Sequence, residues 1–119
     1  MLDHLKIKPD RDILFPHQIS SRERQRVLIA MALITDPDIL VLDEPVASVD
    51  AITKSYLAKV IKEQVDAGKA VLLITHDLSF AYLCSDRIAV LYSGMILELL
   101  ASQKLLDAPC HPYTRALVG

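Results

Sequence analysis

Ile39-Leu40-Val41-Leu42-Asp43-Glu44-Pro45 is the stretch on which the fold turns. Four apolar residues run unbroken into two adjacent carboxylates. Asp36-Pro37-Asp38 bounds the run on one side and Pro45 on the other. A short apolar run between such breakers reads as a buried parallel strand. Open α/β sheets bind ligands beyond the carboxyl ends of their strands. Side chains alternate along a strand, so Asp43 and Glu44 leave its tip in different directions. One is then free to hold a cation while the other faces a reacting water, as a Mg²⁺-dependent phosphate site requires.

Upstream, Ser20-x-x-Glu23 fits a capping box that starts a helix. Val27, Ala30, Met31 and Ile34 recur at helical spacing and predict a buried face on a helix reaching about Thr35. Arg24, Gln25 and Arg26 read as a solvated face with local partners. Downstream, Asp50 is placed to cap a second helix with an apolar stripe of Tyr56, Leu57, Val60, Ile61 and Val65, and Gly68 fits its C′ position. Ala70-Val71-Leu72-Leu73-Ile74 is a second buried strand, so the order strand, helix, strand implies a parallel crossover. Asp77 starts a third helix to about Cys84. Arg87–Leu91 is a third strand, Ser93-Gly94 a turn, and Met95–Leu99 an antiparallel return. Leu105 and Leu106 lie in a short helix ended by Pro109, and a last helical piece starts at Pro112.

The totals narrow the function. The chain has 119 residues, enough for one domain with a modest core. Hydrophobic residues make up 52% and the net charge is −2, so the chain is globular and lacks the broad basic field that nucleic acid would select. No apolar run reaches the length of a membrane span, and Met1–Lys6 lacks the apolar core of a signal peptide. Cys84 and Cys110 have no metal-ligand spacing and read as free packing thiols in a reduced setting.

Four segments in order carry a family resemblance. Ile39–Pro45 resembles the Walker B segment of ABC-type ATPases. Pro16–Val27 resembles their signature segment, Ala47-Ser48-Val49-Asp50 their D-loop, and Ile74-Thr75-His76-Asp77 their H-loop. His111-Pro112-Tyr113-Thr114-Arg115-Ala116-Leu117 is similar to the tail of ATP-binding subunits of peptide and nickel importers. The resemblance runs from about Phe15 to the last residue. It implies an α/β, partial P-loop NTPase-like fold, mainly a parallel sheet with flanking helices, in a single partial domain over residues 1–119. It implies Asp43 in a Mg²⁺-linked role, Glu44 as polariser of the attacking water, and His76 as a contact to the γ-phosphate of ATP. Ser20, Ser21, Arg22, Glu23 and Asp50 would face a nucleotide at a seam with a second ATP-binding subunit. Membrane contact would come only through permease subunits, at the inner face of the cell membrane.

Local roles compete with these. His76 could simply bond a backbone group at a strand end. Asp50 could be an N-cap, and Asp77 reads as an N-cap in preference to a catalyst. The signature also departs from the family's Leu-Ser-Gly-Gly-Gln or Glu: this chain has Ile19-Ser20-Ser21-Arg22-Glu23. Glycine there permits close backbone approach to phosphate. Arg22 either crowds the nucleotide, the favoured expectation, or pairs with phosphate.

No Gly-x-x-x-x-Gly-Lys-[Ser/Thr] occurs anywhere. In the family that loop, the adenine-stacking aromatic and the glutamine loop precede the signature. The strand leading into the loop would lie between strands 70–74 and 87–91, and its absence would leave open edges. The expectation is therefore the C-terminal part of an ATP-binding subunit of a peptide or nickel importer, inactive by itself. The alternative is a non-catalytic module that docks on an intact ATPase subunit or importer complex. A flavodoxin-like binding domain is a third, weaker reading, because no phosphate loop follows a first strand.

Overall fold

The computed structural model describes residues 20–119. The mixed-charge stretch from Lys6 to Asp12, and Pro16 to Ile19 of the signature segment, lie outside the described residues. The chain divides into two compact units, one ending at Ile74 and one running from Thr75 to Gly119.

In the first unit, α1 (Ser21–Ile34), β1 (Ile39–Asp43), α2 (Ala51–Asp66) and β2 (Ala70–Ile74) follow in order. The capping box closes in both directions: Glu23 N donates to Ser20 Oγ at 3.2 Å, and Ser20 N donates to Glu23 Oε2 at 3.1 Å. The buried face of α1 differs from the expected one. Ile29, Ala30 and Leu33 are buried, while Met31 and Ile34 are 60% and 68% exposed. The stripe is turned toward Arg26. Its guanidinium lies 5.8 Å over the Tyr56 ring and its Nη2 donates to Thr53 Oγ1 at 3.3 Å, which draws that side of α1 onto α2.

β1 and β2 pair in parallel, from Ile39 opposite Ala70 to Asp43 opposite Ile74. The ladder continues one residue past β1, where Glu44 N donates to Ile74 O at 2.8 Å. α2 packs against β2 and buries Thr53, Leu57, Ala58, Val60 and Ile61. At its end Gly68 takes φ +90 in the C′ position, where a left-handed backbone favours glycine. Lys69 pairs with Asp36 and ties the two loops at that end together. The strands are not buried on both faces. Leu40 and Leu42 are buried, but Val41 and Leu72 are 57% and 56% exposed. An unbroken apolar run shows that both faces suit burial. It does not show that a cover is present, and among the described residues nothing covers the second face.

The second unit contains α3 (Leu78–Cys84), β3 (Arg87–Tyr92), β4 (Met95–Ala101), α4 (Lys104–Asp107) and α5 (Pro112–Val118). Asp77 caps α3, accepting from Phe80 N at 2.9 Å. β3 and β4 form an antiparallel hairpin through Ser93 (φ +48) and Gly94 (φ +78), a two-residue turn with both φ positive. Ile88, Val90, Leu100 and Leu105 make its core. β1–β2 and β3–β4 are separate two-stranded sheets, so the arrangement is α/β with one parallel and one antiparallel pair. Cys84 is half-buried, and burial pushes its thiol up to about 11. Cys110 is exposed, contrary to the packing role expected for it.

A bulge between Val90 and Leu91 shifts the register so that Glu98 faces Val90. Glu98 accepts from Cys110 N at 2.7 Å and His111 N at 3.1 Å, which pins the approach to α5. Its carboxyl is held below the usual glutamate range, first by the Thr114 hydroxyl and then by the Cys110 amide, with desolvation opposing. A carboxyl whose folded value lies below its unfolded one stabilises the fold above the unfolded value, about 4.3, and loses that contribution as pH falls through the folded value. The Cys110 and His111 amide resonances should therefore hold steady to below pH 4.3 and then shift together in acid. Glu98→Gln should abolish that transition, and a midpoint at or above the ordinary glutamate value would rule the anchor out.

Candidate functional site

The tip of β1 and the start of α1 form the candidate site in the first unit. Glu44 leaves the ladder with φ +47, in the left-handed region that a non-glycine residue seldom takes. Its amide is held by Ile74 O at 2.8 Å. Its side chain is half-buried, and Oε2 is shut away from solvent. Asp43, one residue earlier, is exposed. The two acids thus sit in different environments at one strand tip.

The loop after them is fastened to α1. Gln25 Nε2 donates to Pro45 O at 2.6 Å, and Pro45 and Val46 are buried. The Arg22 guanidinium stands 3.7 Å from Asp50 Oδ1. Asp50 is the N-cap residue of α2, yet its side chain closes no cap hydrogen bond. Its carboxyl is held below the usual range first by the Thr53 hydroxyl, against desolvation, and also by Arg22. The side chain of Arg22 is 60% exposed, so this pair is a weak solvent-screened contact.

Ser20, Arg22 and Glu23 therefore lie at the α1 N-terminus with Asp50 beside Arg22, and Ser21 opens the helix. Asp43 and Glu44 lie at the β1 tip. His76 belongs to the second unit, where it is exposed just before the Asp77 cap, and Asp77 N donates to Thr75 Oγ1 at 3.0 Å. Gln25 and Arg26 are half-buried and engage Pro45 and Tyr56, far along the chain, where a solvated face with local partners was expected. For Arg26 the signal was its spacing from Ile29, Ala30 and Leu33, which puts it on the buried stripe.

Among the described residues no group of three or more His, Cys, Asp or Glu is placed to hold a metal. Asp43 supplies one exposed carboxylate. Mg²⁺ commonly binds through one or two carboxylates together with substrate phosphates and water, so this donor set fits Mg²⁺ arriving with a nucleotide and not a resident ion. Among the described residues no helix is long and apolar enough to cross a membrane.

Residues 1–47 match the family model described as ABC transporter. The oligopeptide transport ATP-binding protein AmiF of Streptococcus pneumoniae is 41% identical over 106 residues, 88% of this chain and 34% of AmiF. The dipeptide transport ATP-binding protein DppD of Bacillus subtilis is 42% identical, over 88% of this chain and 32% of DppD. The oligopeptide transport ATP-binding protein OppF of the same organism is 36% identical over 100% of this chain and 39% of its own length. The chain thus spans about a third of the length of these curated relatives. The ATP-binding cassette MJ0796, solved as a dimer in a post-hydrolysis state bound to ADP and Pi, superposes with a TM-score of 0.77 at 28% identity, over 85% of this chain and 44% of the cassette. With the fold, the order of its segments and these relatives in agreement, the chain is similar to part of the ATP-binding proteins of ABC transporters.

Proposed function

We propose that this chain supplies the hydrolytic residues of an ATP-binding subunit that drives import of peptides, with nickel as the alternative cargo. The observation that carries the reading is Glu44, a half-buried carboxylate held at the tip of β1 by its own amide. In this role Glu44 orients the attacking water and takes up its proton. His76 donates to the γ-phosphate. Asp43 supports Mg²⁺, which when bound supplies charge neutralisation on the phosphate oxygens. Ser20, Ser21, Arg22 and Glu23, at the positive end of the α1 dipole, and Asp50 face the nucleotide of a second ATP-binding subunit. Permease subunits hold the assembly at the inner face of the membrane.

The 119 residues contain no glycine-rich loop with its lysine to cradle the β- and γ-phosphates, so hydrolysis needs a polypeptide that brings one. The 119-residue chain alone is expected to show no ATPase above buffer. Mixing or fusing it with the phosphate-loop segment of a related ATP-binding protein should produce activity. Activity of the chain alone, or none from a folded and nucleotide-binding complex, would overturn the reading.

A second reading is a docking module that binds an intact ATPase subunit and alters its activity. The bare apolar face of β1–β2 and Arg22 in place of the family's signature glycine favour it. Co-purification with an intact subunit, with no hydrolysis gained from the added phosphate-loop segment, would select it.

A further inference from the structure

We infer that Gln25 is a positioning residue for Glu44, acting through the carbonyl of Pro45. The inference rests on the proposed role of Glu44, and the contact itself stands apart from that role. Glu44 is doubly constrained. Its φ of +47 is unfavourable for a glutamate, and it precedes a proline, which narrows its backbone further. Such a conformation persists only where neighbouring contacts enforce it.

Two hydrogen bonds bracket the residue. On one side Glu44 N donates to Ile74 O at 2.8 Å. On the other, Pro45 O accepts from Gln25 Nε2 at 2.6 Å. Proline has no N–H, so that carbonyl is the one backbone group through which Pro45 can be held. Pro45 and Val46 are buried, which closes the outward path for the loop. Gln25 itself is fixed by α1, whose first turn is locked by the Ser20–Glu23 capping box. Releasing the amide should let the 44–46 peptides relax toward negative φ and swing the Glu44 carboxylate away from its present direction. The Gln25 side-chain amide therefore links α1 to the loop that carries Glu44, within one unit.

The test is NMR on the full 119-residue chain, with no nucleotide. The unsubstituted chain should show the strong intraresidue HN–Hα Overhauser effect that a left-handed φ produces at Glu44. Gln25→Leu keeps the volume and removes the donor. It should erase that signature and speed Glu44 amide exchange by about tenfold, the worth of one ordinary hydrogen bond. Gln25→Lys, which restores a donor of similar reach, should recover it. Protection of the Ala51–Asp66 amides serves as the control for folding. An unchanged Glu44 signature in folded Gln25→Leu would overturn the inference. If that variant does not fold, scalar coupling from Gln25 Nε2 to the Pro45 carbonyl in the unsubstituted chain decides: its detection supports the clasp and its absence refutes it. None of these readouts uses hydrolysis, so a failure here removes the role of Gln25 and leaves the ATPase measurement to judge the function.

Discussion

Leu57→Ala should destabilise the first unit by about 3 kcal/mol, read from urea unfolding and from amide exchange over Ala51–Asp66 and Ile39–Asp43. Leu57 is 1% exposed and sits at the middle of α2, between Thr53 and Ile61 on the same buried face. Truncation there removes buried methyl groups and leaves a cavity that a close-packed surround fills only in part. The loss is large against the 5–15 kcal/mol typical of whole domains. It weighs more here because one face of β1–β2 is bare: Val41 and Leu72 contribute little while exposed, so the covered face carries most of the apolar burial. Ile52→Ala, on the exposed side of the same helix, should stay within about 0.5 kcal/mol. Equal effects from the two substitutions would mean that the buried face does not hold the unit together.

The same contrast shows what the sequence disclosed. The strand at 39–43, the helix that starts after Asp50, the strand at 70–74 and the hairpin around Ser93-Gly94 are where breakers and apolar periodicity put them. These signals are local, because caps, turns and alternation act over three or four residues. The rotation of α1 was not legible. Val27, Ala30, Met31 and Ile34 and the stripe of Ile29, Ala30 and Leu33 are adjacent faces of one helix, and the choice fell to Arg26 meeting Tyr56, a contact 30 residues away in the chain. Gln25 was hidden for a similar reason. Flanked by arginines, its amide looks solvated, and only the loop after β1 gives it a carbonyl to bind. The bare strand faces were illegible because an apolar run records what a strand is suited to pack against, and not whether that layer is at hand. At the site, the acids and the capping serine were visible as residue types. The left-handed backbone at Glu44 was not, since a glutamate before proline carries no local signal for positive φ.

Once a phosphate-loop segment restores hydrolysis, Glu44→Gln should lower the rate on the order of 10³-fold while nucleotide binding is retained. Glutamine matches glutamate in shape and keeps the backbone N–H, so the 2.8 Å bond to Ile74 O and the clasp on Pro45 survive the change. What is lost is the negative carboxylate that, in the proposed role, accepts the proton of the attacking water. Because the change acts on the transition state, it should lower the maximal rate and leave the half-saturating nucleotide concentration nearly unchanged. Asp43→Asn should behave differently. It removes the exposed carboxylate proposed to support Mg²⁺, so rising Mg²⁺ should recover part of its loss, and no Mg²⁺ concentration should rescue Glu44→Gln. A Glu44→Gln rate within tenfold of the unsubstituted complex would remove Glu44 from the chemistry. The strain at φ +47 would then have to be read as a loop constraint that serves packing alone.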